Sequence, residues 1–229
     1  MYRHLALLVV WSCVGLAAAD DRIPPPWDRQ DPAALFAEYD FRTAPVPTGD
    51  VRPGGLYFPE HVSNPFGGQP AGYDPNYPYN GGVGSAWLPA IGIRPGIAVP
   101  AYDIEFWNPN APVARPYKEM YLQVTWLPGG PDADGVAPLL EVTTGDPHTT
   151  LIEIAVVNEI PLEDGFFYTR WRVRIEPNPP EEYVRLLPSE EGGRLYLDQV
   201  VIDTICVPEP ATVLLLAAVA LSCRRAGRT

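Results

Sequence analysis

Apolar and polar side chains alternate with a period of two over much of the chain after residue 96. This alternation is typical of β-strands that bury one face and expose the other to water. Two segments, 102–106 and 121–126, show the pattern clearly and place acidic or other polar residues opposite the apolar ones. The residues predicted to face inward are Tyr102, Ile104, Phe106, Leu122, Val124 and Trp126. Both segments therefore predict half-buried strands.

A third alternating segment carries a row of arginines. Residues 170–175 alternate between arginine and an apolar residue, so Arg170, Arg172 and Arg174 are predicted to point into solvent. Such a row could contact an acidic polysaccharide, but a solvated strand face paired with neighbouring acids is the simpler interpretation. Further strands are predicted at 35–41, 139–143, 151–157, 183–187 and 195–205.

Proline and glycine break the chain between these strands, and the sequence contains 29 prolines and 20 glycines. The segment 45–78 is especially rich in both residues, and we predict long loops around short strands there. No convincing helical pattern occurs inside the domain. Many short alternating strands without helices predict an all-β fold, an antiparallel β-sandwich with one wet face on each sheet.

Three elements follow one another near the C-terminus: an acid between two prolines, then an apolar run, and then a basic pair. In order, these are Val207, Pro208, Glu209 and Pro210, the run 211–223, and Arg224 with Arg225. Proline fixes its own backbone and restricts the residue before it, so the motif is predicted to be extended and separate from the helix that follows. Basic residues next to a membrane helix favour the cytoplasmic side of the membrane, so Arg224 and Arg225 are predicted to lie on that side. The run gives about 20 Å of helix against a hydrocarbon core of about 30 Å, so the predicted transmembrane helix is short.

This order of elements resembles the PEP-CTERM sorting signal of exported bacterial proteins. The resemblance implies that residues 207–229 are held in the inner membrane and removed by an exosortase, a membrane-embedded enzyme similar to cysteine transpeptidases. Residues 196–203 are similar to the closing strand of many PEP-CTERM proteins whose exported part is a jelly-roll-like sandwich. The family also implies an association with exopolysaccharide. An uncleaved hydrophobic tail, or a helix packed on the domain, is the alternative.

The other end has the layout of a secretory signal peptide. Residues 1–19 contain basic residues, an apolar run and small residues, and Ala17 and Ala19 occupy the positions that signal peptidase recognises. A loose lipobox ending at Cys13 is the alternative. A proline-rich leader at 20–34 and a β-sandwich domain at 35–206 follow.

The formal net charge of the chain is −12, and its basic residues are partly in the two terminal segments. An acidic exported domain argues against nucleic acid as a partner, because phosphates require a cationic surface. Cys206 is the one cysteine outside the two terminal segments, so no internal disulfide is predicted. An intermolecular disulfide is possible there, but a half-buried, unreactive thiol is the simpler interpretation.

Motifs for catalysis and metal binding are largely missing. His61 and His148 are far apart and lack the spacing of metal ligands. The turn Asp132–Gly135 has alternating carboxylates but departs from the EF-hand pattern, so we prefer a solvated turn to a calcium site. The sequence therefore predicts neither an enzyme nor a cofactor.

Aromatic residues are concentrated in the loop-rich region and are the best candidates for ligand contact: Tyr73, Tyr77, Tyr79 and Trp87. Flat rings on loops can stack on sugars, although they can equally close the open end of the sandwich. We therefore expect an exported, exosortase-processed surface or extracellular-matrix protein, non-catalytic and associated with exopolysaccharide. A carbohydrate-binding module and an exported hydrolase are the alternatives.

Overall fold

The computed structural model describes five parts of the chain: residues 22–49, 54–77, 85–100, 102–112 and 115–207. Within them the chain is all-β, with fourteen strands and no helix, which confirms the predicted fold class. These described residues therefore contain no helix with the length and apolar character needed to cross a membrane. The predicted signal peptide with Ala17 and Ala19, the aromatic Tyr79, and the sorting residues from Pro208 to Arg225 lie outside the described residues.

The strands are numbered in chain order. They are β1 (Ala34–Tyr39), β2 (Val46–Pro47), β3 (Gly55–Tyr57), β4 (His61–Ser63), β5 (Ala71–Asp74), β6 (Ala86–Ile91), β7 (Arg94–Val99), β8 (Ile104–Pro109), β9 (Tyr117–Trp126), β10 (Pro138–Thr144), β11 (Thr150–Pro161), β12 (Phe167–Glu176), β13 (Glu181–Pro188) and β14 (Leu197–Val207). The segment 45–78 contains the four short strands β2 to β5, as its turn-rich composition predicts.

Two antiparallel sheets organise these strands. Sheet 1 has the order β11-β12-β9-β14-β1-β4, with β7 also paired to β14 and β6 paired to β7. Sheet 2 has the order β10-β13-β8-β5-β3-β2. Strands distant in sequence are therefore neighbours in each sheet, as in β14 beside β1 and β13 beside β8.

A single core cluster draws side chains from both sheets. Leu122, Val173 and Ile202 come from sheet 1, Phe106 and Val184 come from sheet 2, and all five are fully buried. Burial of this size contributes about 1.5–3 kcal/mol for each large apolar side chain. The two sheets therefore face one another across one core, consistent with the predicted sandwich.

Of the residues predicted to face inward in segments 102–106 and 121–126, all but one are buried. Ile104, Phe106, Leu122, Val124 and Trp126 are buried as expected. Tyr102 was predicted to face inward and is 55% exposed. The prediction is wrong there because β8 begins at Ile104, so Tyr102 lies in the preceding loop and is not held by the strand's alternation.

The arginine row is only partly a solvated face. Arg170 was predicted to be exposed but is buried, with its guanidinium 3.9 Å from the centre of the Tyr121 ring and near the carbonyl of Pro24. The prediction fails because a distant segment covers this part of sheet 1. Arg172 matches the simpler interpretation, since its Nε donates to Glu119 at 2.8 Å.

The covering segment is the part of the proline-rich leader that the structure describes. The Trp27 ring lies 5.5 Å from the Tyr121 ring, measured between centroids. Arg29 donates to both carboxylate oxygens of Asp203 at 2.6 and 2.7 Å, and the Asp203 side chain is fully buried. The leader is therefore packed on the outer face of sheet 1 by a two-pronged ion pair.

Cys206 is more buried than the sequence suggested. Its side chain has no exposed surface and forms no disulfide, and burial raises the pKa of its thiol. A raised pKa leaves little thiolate, the reactive form of cysteine, so Cys206 is an inert part of the interior.

Candidate functional site

A groove of about 430 Å³ crosses the outer face of sheet 2. Its lining residues are Leu56, Ala71, Tyr73, Glu105, Trp107, Glu181 and Tyr183. Strand alternation puts them there: Phe106 and Val184 point into the core, so their neighbours in the same strands point outward. We call this site the sheet 2 groove.

The register of three strands brings its aromatic residues together. Tyr183 of β13 lies directly opposite Trp107 of β8, and Ala71 of β5 lies opposite Trp107 on its other side. A large ring beside a methyl group leaves open space over the sheet. Tyr73 lies in the adjacent row, opposite Glu105, so it extends the apolar floor along the groove.

One carboxylate fixes the two central rings. The Trp107 indole N–H donates to Glu181 Oε2 at 2.7 Å, and the Tyr183 hydroxyl donates to Glu181 Oε1 at 3.1 Å. Hydrogen bonds to a charged acceptor are stronger than neutral ones. The ring orientations are therefore set by the protein itself, which reduces the entropy that a ligand must lose on binding.

Two glycines let loops approach the rings closely. A Cβ atom at Gly68 would lie 2.9 Å from Trp107 Cη2, and one at Gly54 would lie 2.7 Å from Tyr73 Cε2. Both residues also have positive φ, at +75° and +146°, which side chains rarely adopt. The walls of the sheet 2 groove therefore depend on glycine at these positions.

Carboxylates dominate the electrostatics around the groove. Arg185 lies in the row next to Tyr183 and donates to Asp103 at 2.7 Å and to Glu141 at 2.9 Å. Its Nε also lies 4.0 Å from Glu105. The arginine charge is thus shared among several acids, and the local field disfavours an anionic ligand.

The aromatic residues predicted to contact a ligand lie in three different surroundings in the structure. Tyr73 lines the sheet 2 groove. Tyr77 packs its ring over Gly55, where an added Cβ would lie 2.6 Å from Tyr77 Cδ1. Trp87 packs against the core, and its indole N–H donates to the carbonyl of Phe41 at 2.6 Å. Of the predicted residues that the structure describes, Tyr73 is thus the one in the groove.

Trp107, Tyr183 and Glu181 were not among the site residues predicted from the sequence. The available signal was an aromatic residue on the predicted wet face of a strand, since Trp107 alternates in phase with Glu105. The pairing of Trp107 with Tyr183 depends on strand register between distant segments, which the alternating pattern does not specify.

A second cleft, of about 420 Å³, lies beside sheet 1. Arg94 donates to Asp164 at 2.7 Å and also pairs with Asp198, while Gln199 donates to Asp40 at 3.0 Å. Burial raises the pKa of Asp198 to about 6, against the opposing effect of Arg94. The carboxylates of this cleft are thus paired with donors of the protein, and the cleft lacks the row of aromatic rings found in the sheet 2 groove.

The two carboxylates of the acidic turn, which the sequence analysis weighed as a calcium site, lie close to other side chains of the protein. Arg194 lies 3.8 Å from Asp132 and 3.2 Å from Asp134, and the Tyr196 hydroxyl donates to Asp134 at 2.8 Å. Within the described residues, no group of three or more histidine, cysteine or acidic side chains is arranged to hold a metal ion.

Replacing Asp74 with asparagine is expected to stabilise the protein at neutral pH. Burial raises the pKa of Asp74 from 3.8 to about 6, although hydrogen bonds from Asn76 and Ser85 oppose the shift. The folded state then binds more protons than the unfolded state between these values, so stability falls as pH rises from about 4 to about 6. The substitution should raise the free energy of unfolding at pH 8 by about 1–3 kcal/mol and remove this part of the pH dependence.

Urea unfolding at pH 4, 6 and 8 would measure the effect, with Asp132→Asn, in an exposed turn, as the matched control. An Asp74→Asn variant that keeps the wild-type loss of stability between pH 4 and 6 would contradict the assignment.

In comparisons with known proteins, no family model, no curated protein and no solved structure matches the chain.

Proposed function

We propose that the protein is an exported, non-catalytic surface or matrix protein that binds a neutral polysaccharide in the sheet 2 groove. The observation that carries this proposal is the Trp107–Tyr183 pair, held on the outer face of a sheet by Glu181. These rings are half-buried on the outer face of the sheet and lie outside the core, so core packing does not account for them.

Sugar chemistry fits this arrangement. A pyranose ring has an apolar face of C–H groups, which packs on an aromatic ring, and an edge of hydroxyls, which hydrogen-bond to polar side chains. Trp107 and Tyr73 offer apolar surface, and Glu105 offers carboxylate oxygens that accept from hydroxyls. The open ends of a groove on a sheet face would admit an extended chain.

The charge of the groove favours a neutral ligand over an acidic one. Glu105, Glu181 and Glu141 lie on this face, and the nearest arginine, Arg185, is paired with acids. An anionic polysaccharide would bring like charges together at a low-dielectric surface, which costs binding energy.

The terminal segments support the location in this proposal. A signal peptide at 1–19 would direct export, and the motif Val207 to Pro210 with the basic pair would hold a precursor in the inner membrane for an exosortase. The exported domain would then be a jelly-roll-like β-sandwich. Association with exopolysaccharide, implied by the resemblance to PEP-CTERM proteins, would have a physical basis in the groove.

A polysaccharide array probed with the exported protein tests the function. We expect binding to one or more neutral polysaccharides, and weaker signals from uronic-acid polymers of similar length. Binding that is absent from every neutral polysaccharide, or that is restricted to anionic ones, would contradict the proposal.

A further inference from the structure

Three polar side chains meet in the interior at one end of the two sheets. Lys118 projects inward from β9 of sheet 1, Glu182 projects inward from β13 of sheet 2, and Asn110 follows β8 of sheet 2. Lys118 and Glu182 have no exposed surface, and Asn110 is 6% exposed. An amine, a carboxyl group and a carboxamide are therefore enclosed together, away from water.

Their contacts connect all three groups. Lys118 Nζ donates to Glu182 Oε1 at 2.5 Å and also donates to Asn110 Oδ1. The Asn110 amide nitrogen donates to Glu182 Oε2 at 2.5 Å and to the carbonyl of Pro179 at 2.8 Å. The carboxyl group of Glu182 thus bridges the amine and the leaving nitrogen of the carboxamide, while the lysine nitrogen lies against the carbonyl that it would attack.

We propose that Lys118 and Asn110 join in an intramolecular amide bond, formed by the folded protein itself with Glu182 as the proton-transfer group. No cofactor or oxidant is required, since the reaction exchanges one amide for another. The product would be a covalent link between sheet 1 and the end of β8 in sheet 2.

The reaction balances with these three residues. Proton transfer within the pair converts the Lys118 ammonium and Glu182 carboxylate into a neutral amine and a carboxylic acid. The Nζ lone pair attacks Asn110 Cγ, and Glu182 donates its proton to the carboxamide and accepts one from Nζ. The Nζ–Cγ bond forms, the Cγ–Nδ2 bond breaks, and the released ammonia takes the remaining proton from Glu182 and leaves as ammonium, which restores the Glu182 carboxylate.

The surroundings favour both proton transfer and attack. Burial raises the pKa of Glu182, although Lys118 opposes the shift, and a raised pKa makes it easier for this carboxyl group to take up the proton from Lys118. Holding the amine against the carboxamide replaces an encounter in solution with an intramolecular step, which lowers the entropic part of the barrier. Exclusion of water also limits competing hydrolysis.

Such a bond would provide a covalent cross-link in a domain whose described residues form no disulfide. Cys206 is the one cysteine among the described residues, and it forms no disulfide there. An amide link would hold the sheets together without thiol chemistry, and it would resist reducing agents as well as oxidants.

Peptide mass spectrometry of the full wild-type protein tests the proposal directly. Cleavage after Glu105 and Glu119 releases residues 106–119, which contain both Asn110 and Lys118 and no other internal acid. We expect this peptide to be lighter by one ammonia, to give no backbone fragments separating residues 110 and 118, and to acylate only at its N-terminus in denaturant. A peptide of full mass overturns the proposal. So does a light peptide whose Lys118 still acylates, because loss of ammonia at asparagine alone leaves the lysine free.

Two variants test whether Glu182 transfers the protons in this reaction. Glu182→Gln preserves the shape but cannot shuttle the proton, so we expect residues 106–119 at full mass with a reactive Lys118. Glu163→Gln, in an exposed loop, is the matched control and should cross-link like the wild type. Cross-linking that persists in Glu182→Gln would remove Glu182 from the mechanism. If this variant does not fold, the wild-type peptide still decides whether the bond exists.

Discussion

Replacing Trp107 with alanine is expected to weaken polysaccharide binding by at least about 30-fold, equivalent to about 2 kcal/mol. Trp107 lies at the centre of the sheet 2 groove, between Tyr183 and Ala71, and provides its largest apolar surface. Truncation also removes one of the two donors that hold Glu181. Isothermal titration with the polysaccharide that gives the strongest array signal would measure the loss.

Two further variants separate stacking from general damage. Trp107→Phe keeps an aromatic face but loses the indole N–H, so its affinity should lie between those of the wild type and Trp107→Ala. Tyr102→Ala removes a 55% exposed tyrosine outside the groove and should bind like the wild type. Wild-type affinity in a folded Trp107→Ala variant, confirmed by its thermal midpoint, would rule out the groove as the binding site.

Replacing Pro208, Glu209 and Pro210 together with alanine is expected to stop C-terminal processing. Alanine favours helix, so the substitution would allow the predicted helix of the apolar run to extend backward through the motif, and would remove the extended backbone predicted there for a processing enzyme to bind. Under the proposed sorting function, an uncleaved precursor that still contains Arg225 should accumulate in the membrane fraction of the source cells.

Intact-mass measurement of protein from membrane and extracellular fractions would quantify this effect. Pro131→Ala, a proline replacement in an exposed turn of the domain, is the matched control and should be processed normally. A triple variant with unchanged processing would show that the tail is not a PEP-CTERM signal, while leaving the groove proposal intact.

The fold was largely predictable because its dominant signal is local. Leu122, Val124 and Trp126 alternate with polar residues, and the resulting face is buried as expected. The wrong predictions concern residues whose exposure depends on something other than the alternation itself. Tyr102 is exposed because β8 starts two residues later, and Arg170 is buried because the distant leader covers it. Alternation does not specify strand ends or what packs on a strand's outer face.

The candidate site was less predictable for the same reason. Trp107 and Tyr183 each occupy an outward position in a strand, but they are neighbours only because β8 and β13 pair in one register. Lys118 falls in phase with Met120 and Leu122, so the pattern places a lysine in the core without naming Glu182 as its partner. Register and inter-sheet packing create both sites, and neither is encoded in a short stretch of sequence.

The most direct test of the groove is a nuclear magnetic resonance titration of the isotope-labelled protein with the bound oligosaccharide. The proposal predicts that the largest chemical-shift changes occur at the Trp107 indole N–H and at Tyr73 and Tyr183, and that they saturate with the affinity measured by calorimetry. Changes confined to the cleft around Arg94 and Asp198, with the Trp107 signal unmoved at saturation, would contradict it.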